Sequence, residues 1–240
     1  MKWGQKFTAD YVNILYSMVR RNLSGPLRFV CLTDDPANIR PEVECQPCPE
    51  LPIQNANKNL GWRKLTLWKD KLDGMEGHWL FLDLDVVIVD SIEDFFSWKP
   101  KADFVVMENA TQAGQGIGNT SAFRFKVGSH PYLYDQIIES SDEMMARYPN
   151  SQTYVSREIK NIDWWQDDWC RLFKVHCVPK MPSRWWKEPS IPPKSKIIAF
   201  PGVPNPPEAR DGKWPAKWYK RVYKYIKPTS WTDQYWKDDG

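Results

Sequence analysis

Residues 79–90 have the sequence WLFLDLDVVIVD, and this stretch decides the fold more than any other. Apolar residues on both sides of Asp83 and Asp85 predict a buried strand that ends by presenting two carboxylates. Residues i and i+2 of an extended chain point the same way, so the two carboxylates converge if the chain stays extended through Leu84. Such a pair is costly unless a cation lies between its members. The pattern therefore predicts a divalent metal site, and its alternative is a strand end with two solvated aspartates.

The metal that suits two carboxylates is a hard cation. Mg²⁺ and Mn²⁺ prefer oxygen ligands, and they keep open positions for phosphate oxygens. The stretch thus favours a site for a metal and a diphosphate.

The composition is that of a globular protein with an unusual number of tryptophans. Of 240 residues, 42% are hydrophobic and 26% charged, which is ordinary, but 14 are tryptophan. Tryptophans in such number indicate ligand platforms or a membrane-interface surface. The net charge of +3 is too small to predict a nucleic-acid partner.

No apolar run approaches the roughly 20 residues that span a bilayer, and the N-terminus shows no signal-peptide pattern. Five cysteines are an odd number, too sparse for a disulfide scaffold, so we expect a reducing, cytoplasmic setting. Cys45 and Cys48 form a single Cys-x-x-Cys motif without a second pair. We expect them to be ordinary loop thiols rather than zinc ligands or a redox pair.

Alternating helix and strand patterns predict an α/β fold with a mostly parallel central sheet flanked by helices. The predicted elements include helices at Ala9 to Asn22, Trp62 to Leu72 and Pro131 to Tyr148, and strands at Leu27 to Leu32, Phe104 to Met107, Asn119 to Phe125 and Lys196 to Phe200. In such sheets ligands bind beyond the carboxyl ends of strands. Thr33-Asp34 and the Asp83/Asp85 pair both follow strands, which favours a ligand site there.

From Pro179 onward, frequent prolines and tryptophans predict a C-terminal wrap over the sheet. Residues Pro215 to Ile226 predict a helix with Trp218, Tyr225 and Ile226 on one side and basic residues, including Arg221, interleaved. This helix either lies on an anionic membrane surface or packs onto the body of the protein.

Four motifs lie in order within about residues 3–125, namely Phe29 to Asp35, Lys64-Leu65-Thr66-Leu67-Trp68, Asp83-Leu84-Asp85 and Asn119-Thr120-Ser121-Ala122-Phe123. Together they resemble the GT-A fold glycosyltransferases, in particular glycosyltransferase family 8 and small bacterial sugar transferases of the lipopolysaccharide type. Asp83-Leu84-Asp85 resembles the family's metal-binding DxD motif. Lys64-Leu65-Thr66-Leu67-Trp68 resembles a helix whose lysine reaches the donor. Asn119-Thr120-Ser121-Ala122-Phe123 resembles the strand whose asparagine contacts the donor sugar, and Phe29 to Asp35 resembles the strand that holds the base and ribose.

The resemblance implies a metal-dependent transfer of a sugar from a nucleoside diphosphate sugar, UDP-sugar first among them, to a glycan, polysaccharide or lipid-linked acceptor. It implies Mn²⁺ or Mg²⁺ on Asp83 and Asp85. The implied donor contacts are Thr33, Asp34, Lys64, Leu84 and Asn119. A single GT-A domain would comprise a nucleotide-sugar-binding half (1–125), an acceptor-side half (126–212) and an aromatic, basic segment (213–240) peripheral to the inner membrane face.

The chain also departs from the family. The late histidine that ligates the metal has no counterpart, because the equivalent residues 200–206 are FPGVPNP. Metal binding would then rest on the two aspartates, the diphosphate and water. Only Met1 to Gly4 remain of the family's full first strand. The acceptor-side Asp-Gln motif corresponds either to Ser151-Gln152 or to Gln166-Asp167-Asp168.

Asp167 and Asp168 are the candidate catalytic carboxylates. They lie between Trp164-Trp165 and Trp169, and aromatic faces stack on sugar rings while a carboxylate accepts a proton. The alternative is a pair of acidic residues at a helix start. We expect His176 to be a strand histidine rather than a ligand.

The competing function is a catalytically weak or silent relative that binds carbohydrate or nucleotide. A nucleotidyltransferase would show a glycine- and arginine-rich loop near its start. An aspartyl phosphatase would carry its paired aspartates near the N-terminus. The sequence shows neither pattern.

Overall fold

The computed structural model describes residues 1–53, 61–220 and 222–239, so Arg221 of the basic C-terminal segment lies outside the described residues. The helices are α1 (Ala9–Asn22), α2 (Asp94–Ser97), α3 (Tyr132–Glu139), α4 (Ser141–Arg147), α5 (Ser151–Glu158), α6 (Pro206–Arg210) and α7 (Trp231–Tyr235). The strands are β1 (Val30–Thr33), β2 (Glu44–Pro47), β3 (His78–Leu82), β4 (Val86–Ile88), β5 (Phe104–Glu108), β6 (Gly118–Lys126), β7 (Asp163–Trp164), β8 (Cys170–Leu172) and β9 (Ile197–Ala199). A 3₁₀ helix covers Trp62–Trp68 and a π-helix Phe173–Cys177.

The chain forms two compact units. Unit 1 comprises Met1–Gln46, Leu82–Asp94 and Gln166–Gly240, and unit 2 comprises Pro47–Phe81 and Phe95–Trp165.

The core of unit 1 is a three-stranded sheet in the order β4-β9-β8. β9 pairs antiparallel with β4 and parallel with β8. Every residue of β4 and β9 is fully buried, as expected for apolar runs without polar alternation. Helix α1 lies against β4 through its buried face, where the Ile88 N–H lies 3.4 Å from Met18 Sδ. β4 is thereby held rigidly on both sides.

Unit 2 contains a four-stranded sheet in the order β3-β6-β5-β7. Its core includes the rings of Trp68, Phe104, Phe123 and Phe125, with centroids 5.2–6.2 Å apart. Arg124 lies on β6 and is 1% exposed. Its guanidinium donates to the backbone carbonyls of residues 95, 96, 98 and 99, at 2.5–3.2 Å. This buried cation fastens the turn after α2 to the sheet.

The α/β class is confirmed, but the sheets are mixed instead of mostly parallel. β5 pairs antiparallel with β6 and parallel with β7. Only residues 109–117 connect β5 to β6, and a parallel pair needs a crossover of a dozen or more residues.

Three predicted helices differ from the structure. The helix predicted from Trp62 to Leu72 is a 3₁₀ helix that ends at Trp68. The helix predicted from Pro131 to Tyr148 is divided at Ser140, whose φ of −138° is not helical. In the described part of Pro215 to Ile226, only Trp218–Lys220 forms a 3₁₀ turn. Trp218 there is 80% exposed, and a short helix that buries no apolar face is marginal. Within the described ranges, no helix is long and apolar enough to cross a membrane.

Candidate functional site

Asp83, Leu84 and Asp85 lie in the connection between β3 and β4. β3 ends at Leu82 and β4 begins at Val86, while Leu84 and Asp85 occupy a turn. The predicted strand does end before the two carboxylates, but the extended chain expected through Leu84 is wrong, because Leu84 and Asp85 form a turn between strands of two different sheets. The i, i+2 alternation therefore gives no argument that the two carboxylates converge.

Asp85 is a buried acidic residue on rigid backbone. It is 7% exposed, and its carbonyl accepts the Phe200 N–H at 2.9 Å, which fastens the turn to the end of β9. Leu84 is 4% exposed and Asp83 is half-buried. A buried carboxylate requires donors or a cation around it, so the turn is a plausible anchor for positive charge.

Two groups that the sequence motifs missed lie within the electrostatic reach of Asp85. Burial raises the pKa of Tyr11 on α1, and the charges of Glu208 and Asp85 raise it further. Burial lowers the pKa of Lys174, as does Lys224, while Asp85 partly offsets the effect. The structure therefore gathers a phenol and an ammonium near this carboxylate, both from unit 1.

Lys174 lies against the segment in which the family's histidine is missing. Its Nζ donates to the Pro201 carbonyl at 2.5 Å, and a Cβ on Gly202 would lie 3.6 Å from the same nitrogen. No sequence motif marks Lys174, because it is distant in the chain from residues 200–206. The sequence shows the charge of Lys174 but not its half-buried position.

Asp83 and Asp85 are the two carboxylates of this turn that would hold a hard divalent cation. In the described parts of the chain, no group of three or more His, Cys, Asp or Glu side chains is arranged to hold a metal ion. Cys45 and Cys48 are free thiols. Mg²⁺ commonly takes one or two carboxylates and completes its shell with phosphate oxygens and water. A cation on Asp83 and Asp85 would need such further ligands from a substrate and water.

The end of β1 is fixed by the first residues of the chain. Lys2 forms a parallel bridge with Thr33, and its Nζ donates to the Asp35 carbonyl at 2.8 Å. Thr33 is buried, and its hydroxyl oxygen accepts the Asp35 N–H at 3.1 Å. The Asp34 carboxylate accepts the Gly4 N–H at 2.9 Å. Residues 1–4 thus order the two predicted donor contacts Thr33 and Asp34.

Lys64 and Asn119 meet in unit 2. Lys64 Nζ donates to the Thr120 carbonyl at 3.0 Å and lies 5.1 Å from the centroid of the Phe81 ring. Asn119 is 5% exposed, and its Oδ1 accepts the Ser121 N–H at 3.0 Å. The structure therefore brings these two predicted donor-binding residues to one end of β6.

Asp167 and Asp168 lie in a turn before β8. Asp167 is exposed, and Asp168 Oδ2 lies 3.6 Å from Lys194 Nζ. Of the three tryptophans expected to flank them as sugar platforms, Trp165 and Trp169 are core residues at 3% and 8% exposed, and Trp164 is half-buried. A catalytic role for the two aspartates stays a prediction.

His176 is held by backbone. It lies in the π-helix instead of a strand, and its Nδ1 accepts the Leu172 N–H at 2.9 Å. Burial lowers its pKa, so the ring is neutral at pH 7. These contacts indicate a structural histidine.

No family model and no curated protein matches the sequence. Solved structures do resemble the fold. The galactosyltransferase LgtC, in complex with donor and acceptor sugar analogues, matches 82% of this chain and 85% of its own at a TM-score of 0.55 and 12% identity. An active-site mutant of LgtC matches 93% and 95% at a TM-score of 0.57 and 12% identity. The chain has a glycosyltransferase fold.

A further neighbour is the glycosyltransferase GlyE of Streptococcus pneumoniae TIGR4, with a TM-score of 0.59 and 13% identity. The match covers 85% of this chain and 55% of the GlyE chain. These likenesses confirm the predicted fold class.

Proposed function

We propose that the protein is a glycosyltransferase that moves a sugar from a nucleoside diphosphate sugar, a UDP-sugar first, to a glycan, polysaccharide or lipid-linked acceptor. The observation that carries the proposal is the buried Asp85 in the turn before β4 of a glycosyltransferase fold. Because one fold hosts many chemistries, the residues of the site must support the function. The donor and acceptor analogues in the LgtC complex support looking for both sites in this chain.

The chemistry centres on the leaving diphosphate, which gains negative charge as the glycosidic bond breaks. A Mn²⁺ or Mg²⁺ ion on Asp83 and Asp85 supplies Lewis acidity to that group when bound. The Lys174 ammonium, next to Pro201 and within the field of Asp85, stabilises the same charge by a charge-assisted hydrogen bond. Because burial lowers the pKa of Lys174, its desolvated charge interacts more strongly with an anion than a solvated one does.

The remaining donor contacts are proposed on the resemblance. Thr33, Asp34 and Leu84 would contact the nucleotide, and Lys64 and Asn119 the donor. Asp167 is the better candidate for a base than Asp168, because it is exposed whereas Lys194 neutralises its neighbour.

A screen of nucleotides by thermal shift tests the proposal. UDP, GDP, CDP and TDP, and their sugars, are added to the wild type with and without Mn²⁺. We expect stabilisation by one nucleotide class that is larger with metal and lost in Asp85→Asn. Stabilisation without sugar transfer would indicate the silent binding relative. No stabilisation by any nucleotide would refute both readings of the site.

We also propose that the segment 213–240 contacts an anionic membrane surface. Ile226 is 1% exposed and packs onto the body, but Trp218, Val222 and Tyr219 are 80%, 69% and 51% exposed and face away from it. The neighbouring turn adds Trp185 and Trp186, which are 50% and 57% exposed. Arg184 Nη1 donates to the Tyr223 carbonyl at 2.7 Å and joins the two segments. Interleaved lysines favour anionic lipid, and the exposed rings suit its interface.

Liposome sedimentation tests the membrane contact. The double variant Trp218→Ser with Val222→Ser should lose binding to vesicles that contain phosphatidylserine, while Ile138→Ser, exposed on α3 of unit 2, should not. Equal binding by the double variant and the wild type would contradict the proposal.

A further inference from the structure

Unit 2 contains a polar cleft that the proposed transfer reaction does not use. Its volume is about 660 Å³, within the range of small-molecule sites, and its lining comes from the segment before β5, the start of α3 and the end of α5. The cleft lies at the end of the β5–β6 pair where Phe104 is opposite Phe125. Asn119 is at the other end, opposite Met107. No residue predicted to bind donor or metal lines it.

Polar side chains of the cleft are positioned by other residues of unit 2. The hydroxyl of fully buried Tyr154 shares its one hydrogen between the Leu133 carbonyl at 2.9 Å and Gln136 Oε1 at 3.1 Å. Glu158 Oε1 accepts a hydrogen bond from the hydroxyl of Tyr148, which is 6% exposed. Side chains that are locked in this way lose little entropy when a ligand binds, which is the arrangement of a built site.

Each of these side chains keeps hydrogen-bonding capacity. Within the described residues, the Gln136 amide nitrogen and the second carboxylate oxygen of Glu158 have no hydrogen-bond partner. His130 engages its Nδ1 with Ser129 Oγ at 2.7 Å, and its Nε2 has no partner in the same part of the chain. Burial lowers the pKa of His130, so at pH 7 the neutral ring has one donor and one acceptor nitrogen. Donors and acceptors thus alternate around the cleft.

The charge of the cleft excludes a strongly charged ligand. The lining has two lysines, Lys101 and Lys160, and three carboxylates, Asp103, Glu158 and Asp163. Lysines outside the lining pair with two of these carboxylates. Lys99 Nζ lies 2.6 Å from Asp163 and Lys126 Nζ 3.7 Å from Asp103. A strongly charged ligand, whether anionic or cationic, would therefore meet like charges as well as opposite charges.

Neutral sugars match this surface. Each sugar hydroxyl donates one hydrogen bond and accepts two, which suits alternating amide, carboxylate and imidazole groups. Tyr132 is 37% exposed, and its hydroxyl donates to the Glu158 carbonyl at 3.2 Å, so its ring is held in place. A fixed aromatic face at the rim of a polar cleft stacks on the apolar face of a sugar ring.

We propose that this cleft is a second carbohydrate site, which binds a neutral oligosaccharide through none of the residues proposed for sugar transfer. The site does not depend on the proposed activity, because none of its groups takes part in donor binding. In a glycosyltransferase it would hold a distal part of a glycan chain.

Titration of the isotope-labelled full chain with neutral trisaccharides tests the proposal. Maltotriose, chitotriose and a β-linked galactose trisaccharide are added at millimolar concentration while ¹H–¹⁵N spectra are recorded. We expect saturable shifts for at least one of them in Gly128–Tyr132 and Glu158–Asp163. Gln136→Ala should weaken binding by about 5-fold, the equivalent of about one hydrogen bond of about 1 kcal/mol.

The controls separate binding from folding. Gln136→Ala leaves the Tyr154 hydroxyl its bond to the Leu133 carbonyl at 2.9 Å, so the fold should persist. Glu139→Ala, exposed on the same helix outside the cleft, should bind like the wild type. The proposal is overturned if no trisaccharide gives saturable shifts, if Gln136→Ala binds as well as the wild type, or if inorganic phosphate produces the same shifts. Asp85→Asn should still bind the trisaccharide after it has lost UDP binding, because the cleft shares no residue with the proposed donor site.

Discussion

Replacing Lys174 by methionine tests how the chain compensates for the missing histidine. The change removes one positive charge that interacts electrostatically with Asp85 and the hydrogen bond from Nζ to the Pro201 carbonyl at 2.5 Å, while it keeps most of the side-chain volume. If the ammonium contacts the diphosphate, the variant loses a charged hydrogen bond of about 1.5–3 kcal/mol. The affinity for the nucleotide then falls by about 10- to 150-fold.

Stability should change far less than affinity. Burial lowers the pKa of Lys174, which means that folding works against its charge, and methionine relieves that cost. The lost bond to Pro201 opposes this gain. The two effects largely cancel, so we expect the free energy of unfolding without ligand to change by less than about 1 kcal/mol.

Calorimetric titration separates the two effects. The nucleoside diphosphate chosen by the thermal-shift screen is titrated into the wild type, Lys174→Met and, as a control, Lys71→Met, an exposed lysine of unit 2. Affinity within about twofold of the wild type for Lys174→Met would show that the ammonium does not contact the diphosphate. A large loss of stability without ligand would assign it a purely structural role.

Three further predictions concern unit 2. Arg124→Met strands four backbone carbonyls and should lower the free energy of unfolding by about 3–5 kcal/mol in denaturant titration, whereas exposed Arg157→Met should change it by under about 0.5 kcal/mol. Gly118→Ala places a Cβ 2.8 Å from Val106 Cγ1 and should cost about 1–3 kcal/mol by the same measurement. Burial lowers the pKa of His130 below 6.5, so the unfolded chain takes up the proton first and stability falls as the pH drops below that value; His130→Gln should reduce this fall in the melting temperature.

Local sequence patterns correctly predicted the helices and strands whose bounds depend mostly on neighbouring residues in the chain. The helix Ala9–Asn22 matches its predicted bounds, because its apolar period and the Ser24-Gly25-Pro26 break are both local. Strand β6 was expected at Asn119 to Phe125 and extends one residue further at each end. The sequence also predicted the α/β class and the fold, which solved glycosyltransferase structures share at 12% identity.

Tertiary contacts decide what the sequence did not predict. A turn at Leu84–Asp85 separates β3 from β4, which belong to different sheets. Because apolar residues flank the turn on both sides, the sequence looks like one strand. Lys174 reaches Pro201 across 27 residues, so no local pattern announces the contact. The polar cleft of unit 2 is assembled from three distant segments and leaves no motif in the chain.

Release of nucleoside diphosphate tests the central claim most directly. Each nucleotide sugar is incubated with the protein, Mn²⁺ and a glycan acceptor panel, so that the sugar passes to an acceptor hydroxyl or to water. Free nucleoside diphosphate is measured over time in the wild type and in Asp85→Asn, with Asp90→Asn as an exposed control. A glycosyltransferase built on Asp85 releases the nucleotide from one sugar, needs the metal, and loses at least about 100-fold of its rate in Asp85→Asn but not in the control. Equal release by Asp85→Asn and the wild type would contradict the assignment of this turn as the reaction centre.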